Sequence, residues 1–142
     1  MPRALLASAI LALGGVLSSC AMPESYSGEI VGDQRVIEVR AKRFELSPSV
    51  ITVREGETVV LKIISEDVMH GFFLDGYETQ TTIPPGEIRV LGFTADRAGR
   101  FTFRCSMTCG EFHPYMVGNL RVLPNRTYLA GLLLVGLLGV GS

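Results

Sequence analysis

Residues 100–123, "RFTFRCSMTCGEFHPYMVGNLRVL", place a loop rich in sulfur and imidazole between two short apolar segments. In the first segment Phe101, Phe103 and Cys105 alternate with polar residues, which is the period of a half-buried β-strand. Residues 117–123 repeat the alternation. The pattern predicts two strands joined by the loop, with Cys105 leaving its strand on the apolar side.

Five further segments of this kind precede the loop, separated by turn residues such as those at 54–57 and 84–86. No stretch of the central region has the apolar period of about 3.6 residues that indicates a helix. We therefore predict an all-β domain over residues 36–124, an antiparallel Greek-key sandwich or barrel. The segments are "RVIEV", "SVITV", "TVVLKII", "HGFFL" and "EIRVLGF".

The first residues of the chain indicate export. Residues 1–19 contain Arg3 and then an apolar run shorter than the ~20 residues of a membrane helix, as in a signal peptide. The run ends in "LSSC", which resembles the bacterial lipobox and predicts lipidation of Cys20; an ordinary secretory signal is the alternative. We expect an exported protein anchored at the outer, periplasmic face of the bacterial cytoplasmic membrane, with residues 20–35 as a polar linker.

The last residues form an apolar tail, 125–142. Its stretch "TYLAGLLLVGLLGVGS" has no charged side chain, but 16 residues would reach only about 24 Å as a helix. We expect this tail to contact the membrane or a membrane subunit, because a soluble domain does not normally expose such a surface. The formal net charge is −1, so nothing indicates a nucleic-acid partner.

The loop between the last two strands carries Cys105, Cys109, His113 and Met116 within twelve residues. Thiolate and thioether sulfur are soft ligands, and together with imidazole they suit copper. The chain contains two histidines, so His70 is the only candidate for a second imidazole.

Several sites could use these groups. A disulfide would not need the histidine and methionine, a zinc site would leave Met116 unused, and a mononuclear blue-copper site would leave Cys105 unused. Two bridging thiolates could instead hold two copper ions, each with one histidine and one weak axial ligand. Met116 sulfur would serve one ion, and a backbone oxygen between the cysteines the other.

The motif "CSMTCGEFHPYM", with "DVMHGF" upstream, resembles the dinuclear copper A (CuA) domain of cytochrome c oxidase subunit II, which has a cupredoxin-like fold. The likeness covers residues 36–124 and is strongest to the compact second subunits of B-type bacterial oxidases. The resemblance implies bridging thiolates from Cys105 and Cys109, imidazoles from His70 and His113, and axial ligands from Met116 sulfur and the Met107 carbonyl.

The resemblance implies electron transfer from cytochrome c or a similar donor to the catalytic membrane subunit of a haem–copper oxidase, with no bond chemistry by this chain alone. Two departures keep alternatives open. Most family members have a magnesium-binding glutamate where Met107 stands, and the tryptophan patch that receives electrons is absent. A free-standing CuA carrier, a partner of a nitric oxide reductase or, less favoured, a copper chaperone are the other interpretations. We expect the carboxylates of Glu66 and Asp67 to be solvated.

Overall fold

The structure, a computed structural model, describes residues 25–139. Within these residues the chain forms ten β-strands, one short 3₁₀ helix (His113–Tyr115) and one α-helix, α1 (Arg126–Gly139). The strands are β1 (Glu29–Val31), β2 (Gln34–Lys42), β3 (Glu45–Ser47), β4 (Val50–Arg54), β5 (Thr58–Ser65), β6 (His70–Leu74), β7 (Thr79–Ile83), β8 (Ile88–Thr94), β9 (Gly99–Arg104) and β10 (Val117–Leu123).

The strands form two five-stranded sheets. One has the order β1-β2-β5-β8 with β3 added beside β2, and the other has the order β4-β10-β9-β6-β7. Alternate side chains of both sheets are buried in one core, as the period-2 patterns predict. The all-β, cupredoxin-like prediction is confirmed. The largest buried side chains include Phe72, Phe103, Leu46, Ile51, Leu61 and Ile63.

Two strand pairs are parallel, so the expectation of a wholly antiparallel sandwich was wrong. In β2 and β5, Ile37 lies opposite Leu61, and in β4 and β10, Ile51 lies opposite Leu120. The chain leaves the first sheet after β3, contributes β4 to the second sheet and returns as β5. This crossover between sheets makes β5 run in the same direction as β2.

Three strands were not predicted. β1 and β3 have only three residues each, and in β7 only Ile83 is fully buried, so their apolar alternation is too weak to read. β1 lies inside residues 20–35, the segment expected to be a polar linker. The folded region therefore extends at least to Glu29.

A partly buried ion pair fastens the start of the described chain to the rest of the domain. The Arg35 guanidinium donates to both carboxylate oxygens of Glu57, at 2.6 and 2.8 Å, and to the Ser27 carbonyl at 3.0 Å. The ring of Tyr26 lies against Arg35 and Arg54, 5.2 and 5.0 Å from their guanidinium carbons. The hydrogen bonds from Arg35 hold the pKa of Glu57 below its usual range, although burial acts in the opposite direction.

The structure describes the two ends of the chain only in part. The expected signal segment, residues 1–19, and Cys20 lie outside the described residues. The apolar tail forms α1, in which Leu133, Leu134 and Val135 are exposed. Among residues 25–139, no helix has the length and apolar character needed to span a bilayer.

We predict that Glu57→Gln lowers the free energy of unfolding by about 2 kcal/mol at neutral pH, because Arg35 keeps its charge but loses a charged acceptor. The native pKa of Glu57 is depressed, so its contribution is complete above the ordinary value of 4.5 and is lost as the pH falls through the native pKa. Thermal unfolding from neutral to acid pH should show the two proteins converging in acid.

The control is Glu38→Gln, which removes the carboxylate of an exposed pair with Arg40 and should change the unfolding temperature little. A constant difference between wild type and Glu57→Gln at all pH values would contradict the assigned role of the Glu57 charge.

Candidate metal centre

The two strands that flank the loop bring its ends together. β9 and β10 are antiparallel neighbours with Arg104 opposite Val117, so residues 105–116 connect adjacent strand ends. The Cys105 N–H donates to the Met116 carbonyl at 3.1 Å, which closes the loop. Before Met116 the chain makes a 3₁₀ turn, and the Met116 N–H donates to the His113 carbonyl at 3.1 Å. This closure places the first and last candidate ligands side by side.

His70 reaches the loop from the neighbouring strand. β6 pairs with β9 through Phe73 opposite Arg104, so His70, three residues earlier in β6, extends toward the Cys105 end of the loop. The turn before it is held by the Ser65 hydroxyl, which donates to the Val68 carbonyl. His70 is fully buried.

All six candidate ligands predicted from the sequence meet in this region. The two cysteine sulfurs are 3.8 Å apart, and both residues are free thiols. Beside each sulfur lie one imidazole and one weaker candidate metal ligand. For Cys105 Sγ these are His70 Nδ1 at 3.9 Å and the Met107 carbonyl oxygen at 3.1 Å. For Cys109 Sγ they are His113 Nδ1 at 3.8 Å and Met116 Sδ at 3.7 Å.

Both cysteine side chains are buried, and for Cys109 this burial favours the neutral thiol. Cys105 is 3% exposed and Cys109 is 7% exposed. Burial raises the pKa of Cys109 to about 11, and the hydrogen bond and charge of Cys105 act in the same direction. At neutral pH the metal-free Cys109 thiol therefore carries its proton, and a metal ion must displace it on binding.

Asp67 contacts His70 and still has 33% of its side chain exposed, in agreement with the expectation that it is solvated. Asp67 Oδ1 lies 2.7 Å from His70 Nε2, and Oδ2 accepts the Arg43 N–H at 2.7 Å. Burial raises the pKa of Asp67, but the hydrogen bonds from Arg43 and His70 outweigh it and the pKa is lowered. When the carboxylate accepts a hydrogen bond from His70 Nε2–H, the lone pair of Nδ1 is directed at Cys105.

The sequence contained one signal for this contact, which is that Asp67 stands three residues before His70. The adjacent carboxylate has a different partner: Glu66, similarly exposed, lies 3.0 Å from the Arg40 guanidinium, as expected for a solvated group. Two neighbouring acidic residues of similar exposure therefore have different partners, and only the fold distinguishes them.

An aromatic cluster covers one side of the loop. The Phe44 ring packs edge-on against Phe112 with centroids 5.3 Å apart, and Tyr115 lies 6.4 Å beyond Phe112. Gly110 has φ +151°, and a Cβ there would lie 2.7 Å from the Phe44 ring, so this position requires glycine. Phe112 and Tyr115 are 55% and 76% exposed, so the cluster forms part of the surface beside the candidate ligands.

An open groove of about 400 Å³ lies on another side of the loop, and its lining includes Phe73, Gln80, Arg104, Cys105 and His113. The Arg104 guanidinium lies over the Phe73 ring and 3.2 Å from Asp75. The groove gives the buried sulfur and the half-buried imidazole of His113 a path to the surface.

The donor set fits copper better than the other metals considered. A zinc ion would use two sulfurs and two imidazoles and leave the Met116 thioether, 3.7 Å from Cys109 Sγ, without a role. A single blue-copper ion would leave one buried thiol unused. Two copper ions that share both sulfurs would use every donor in the cluster. His70, Cys105 and Cys109 alone already place their ligand atoms within 4.8 Å of one another.

Comparison with protein families agrees with the fold. A model of the cupredoxin-like domain matches residues 8–122, which is most of the chain. The chain belongs to the cupredoxin-like domain family. In this chain, the candidate ligands lie on the loop between β9 and β10 and on β6 beside it.

The similar proteins include subunit 2 of cytochrome c oxidase. The Thermus thermophilus protein is 34% identical over 90 residues, which cover 63% of this cupredoxin and 67% of the relative. That of Cereibacter sphaeroides is 30% identical over 103 residues, 70% of this chain but only 34% of the relative. The chain thus spans about two thirds of the length of the first of these two relatives and about a third of the second.

A solved structure shares the fold. The periplasmic domain of subunit II of the cytochrome oxidase of Bradyrhizobium japonicum superposes with a TM-score of 0.59 at 19% identity, covering 67% of this chain and 88% of that domain.

We predict that Asp67→Ala weakens copper retention about tenfold, because His70 loses the acceptor that fixes its Nε2 proton. The measurement is the copper that remains on the purified protein after competition with a chelator of graded concentration. Asp67→Asn should lie between Ala and wild type, since its amide oxygen can still accept a hydrogen bond.

Glu66→Ala is the matched control, because Glu66 is the adjacent carboxylate and contacts Arg40 instead of His70. Equal copper retention in Asp67→Ala and Glu66→Ala would show that the Asp67–His70 contact does not orient the imidazole.

Proposed function

We propose that this cupredoxin holds two copper ions in a CuA centre and transfers electrons as subunit II of a haem–copper cytochrome c oxidase. The observation that carries the proposal is the pairing at the two sulfurs. Cys105 and Cys109 are 3.8 Å apart, and each has its own histidine and its own weak donor. A site for a single ion has no need of this near-symmetry.

The roles of the residues follow from this arrangement. Cys105 and Cys109 would provide thiolates to both ions, His70 and His113 would each provide an imidazole, and the Met107 carbonyl and Met116 sulfur would be the weaker ligands. A copper pair held in this way would accept and pass on one electron at a time, with little change in its bonds. The chain contributes rigidity, because five of these six ligands belong to a loop closed between β9 and β10.

The burial of the candidate ligands limits the chemistry of the site. With His70, Cys105 and Met116 almost without solvent contact, and every donor of the cluster used by the two ions, the proposed site would have no open coordination position for a substrate. The site is therefore suited to moving electrons and not to making or breaking bonds. Phe112 and Tyr115, exposed beside the loop, offer an apolar surface where cytochrome c or a similar donor would contact the protein.

The proposed electron acceptor is supported by the similar proteins, and the proposed membrane contact by the two ends of the chain. The name that the relatives share supports a haem–copper catalytic subunit as the electron acceptor. Lipidation at Cys20 and contact of α1 with the bilayer or a membrane subunit would hold the domain at the outer face of the cytoplasmic membrane. The exposed leucines of α1 support the second contact.

A second candidate is a free-standing CuA carrier. The observation that favours it is Met107, whose side chain is 36% exposed and cannot bind the magnesium ion that the glutamate of most family members binds. A domain without that ion would have one fewer contact with a catalytic subunit.

The copper centre is tested by metal content and electron paramagnetic resonance of the full-length protein in detergent. We expect two copper ions per chain and a seven-line hyperfine pattern, which arises when one unpaired electron is shared by two copper nuclei. Cys105→Ser should abolish the shared pattern, because only one bridging sulfur would remain. Met107→Ala is the matched variant in the same loop and should retain both ions, since only its backbone oxygen is proposed to bind.

The assignment to an oxidase is tested by purification from the native membrane. We expect the full-length protein to be recovered with a haem-containing subunit, and its reduced copper to be oxidised by that subunit. Recovery only as a haem-free protein, with the two-copper spectrum intact, would favour the free-standing carrier over the oxidase subunit.

A further inference from the structure

Gly71 directly follows His70 in β6 and faces the metal-binding loop at very short range. A Cβ built at this position would lie 2.3 Å from Ser106 Oγ, 2.8 Å from the Met107 backbone nitrogen and 3.1 Å from the Ser106 carbonyl carbon. Its φ lies outside the left-handed range, unlike that of seven other glycines among the described residues. Glycine is needed here because of space and not because of backbone conformation.

The segment that contacts Gly71 carries one of the candidate ligands. Residues 106–107 lead directly to the Met107 carbonyl, whose oxygen lies 3.1 Å from Cys105 Sγ. The regular pairing of β6 with β9 ends at Phe73 opposite Arg104. Beyond that point Gly71 packs directly against residues 106–107 of the loop, because glycine has no side chain to hold them apart.

The backbone contact is the decisive one. The hydroxyl of Ser106 could rotate away from an added methyl group, but the Met107 nitrogen belongs to the main chain and cannot move without the loop. Non-bonded contacts below about 3 Å are strongly repulsive, so a side chain at position 71 must displace the loop, the strand or both. Either displacement changes the distance between His70 on β6 and the Cys105–Met107 segment.

We propose that Gly71 is a positioning residue of the metal centre, whose absent side chain sets how closely the Met107 carbonyl and Cys105 approach His70. This inference rests on the proposed function, since it concerns the geometry of the same copper site. A hydrogen atom at this position allows the strand that carries one imidazole to pack directly on the loop that carries the sulfurs. The close packing would then fix the position of the Met107 carbonyl relative to His70.

The test compares Gly71→Ala with Gly92→Ala in the full-length copper-loaded protein. Gly92 lies in β8, and the nearest atom to an added Cβ is the Val59 carbonyl oxygen at 4.0 Å, so this control adds the same methyl group to a strand without a close contact. We expect Gly71→Ala to change the copper hyperfine splitting and to release copper to a chelator about tenfold faster. Gly92→Ala should match the wild type in both.

Ser106→Thr adds a methyl group from the loop side of the same contact, and Ser106 is exposed, so this variant keeps the test available if Gly71→Ala does not fold. It should shift the hyperfine splitting in the same direction by a smaller amount. Wild-type spectra and release rates in both variants, measured beside an intact seven-line wild type, would overturn the positioning role alone. A four-line wild-type spectrum would overturn the proposed function and this inference together.

Discussion

The antiparallel pairing of β9 with β10 is the constraint on which the rest of the site depends. It joins Arg104 to Val117 across adjacent strand ends, so twelve loop residues must turn back within the width of one strand pair. The hydrogen bond from the Cys105 N–H to the Met116 carbonyl completes this closure. Side chains that are far apart along the loop therefore converge on one small volume without needing a metal to gather them.

The neighbouring strand supplies what the loop lacks. β6 delivers His70 to the loop, Asp67 fixes the orientation of that imidazole, and Gly71 leaves room for the loop to lie against the strand. The strand and these two residues together determine where His70 lies relative to the loop. Burial raises the pKa of Cys109, and the two cysteine sulfurs lie at a separation that lets both contact the same two metal ions.

The strength of the sequence signal explains which parts could be predicted. Strands such as β5 and β10 alternate clearly between apolar and polar residues. The composition of the loop, the count of histidines and the resemblance to the CuA domain together identified all six candidate ligands. The short β1 and β3 gave no such signal, and the parallel direction of β5 depends on a crossover that no local pattern records. The contact of Asp67 with His70 also escaped prediction. The adjacent Glu66 has the same charge, and only the turn after β5 gives the two carboxylates different partners.

The same limit applies to glycine. Gly71 has an ordinary backbone conformation, so nothing in a single sequence distinguishes it from a glycine such as Gly92. The difference lies in the residue that packs against it, more than thirty positions later in the chain. Tertiary contacts of this kind can be read only from the folded structure.

The central claim is that the two cysteine sulfurs are shared between two metal ions. Anomalous X-ray diffraction from crystals of the copper-loaded protein, recorded at the copper absorption edge, tests it most directly. The account predicts two resolved copper peaks, each in contact with both Cys105 and Cys109 and each facing one histidine. A single peak bound by one cysteine, or a bond between the two sulfurs with no copper beside it, would contradict the account.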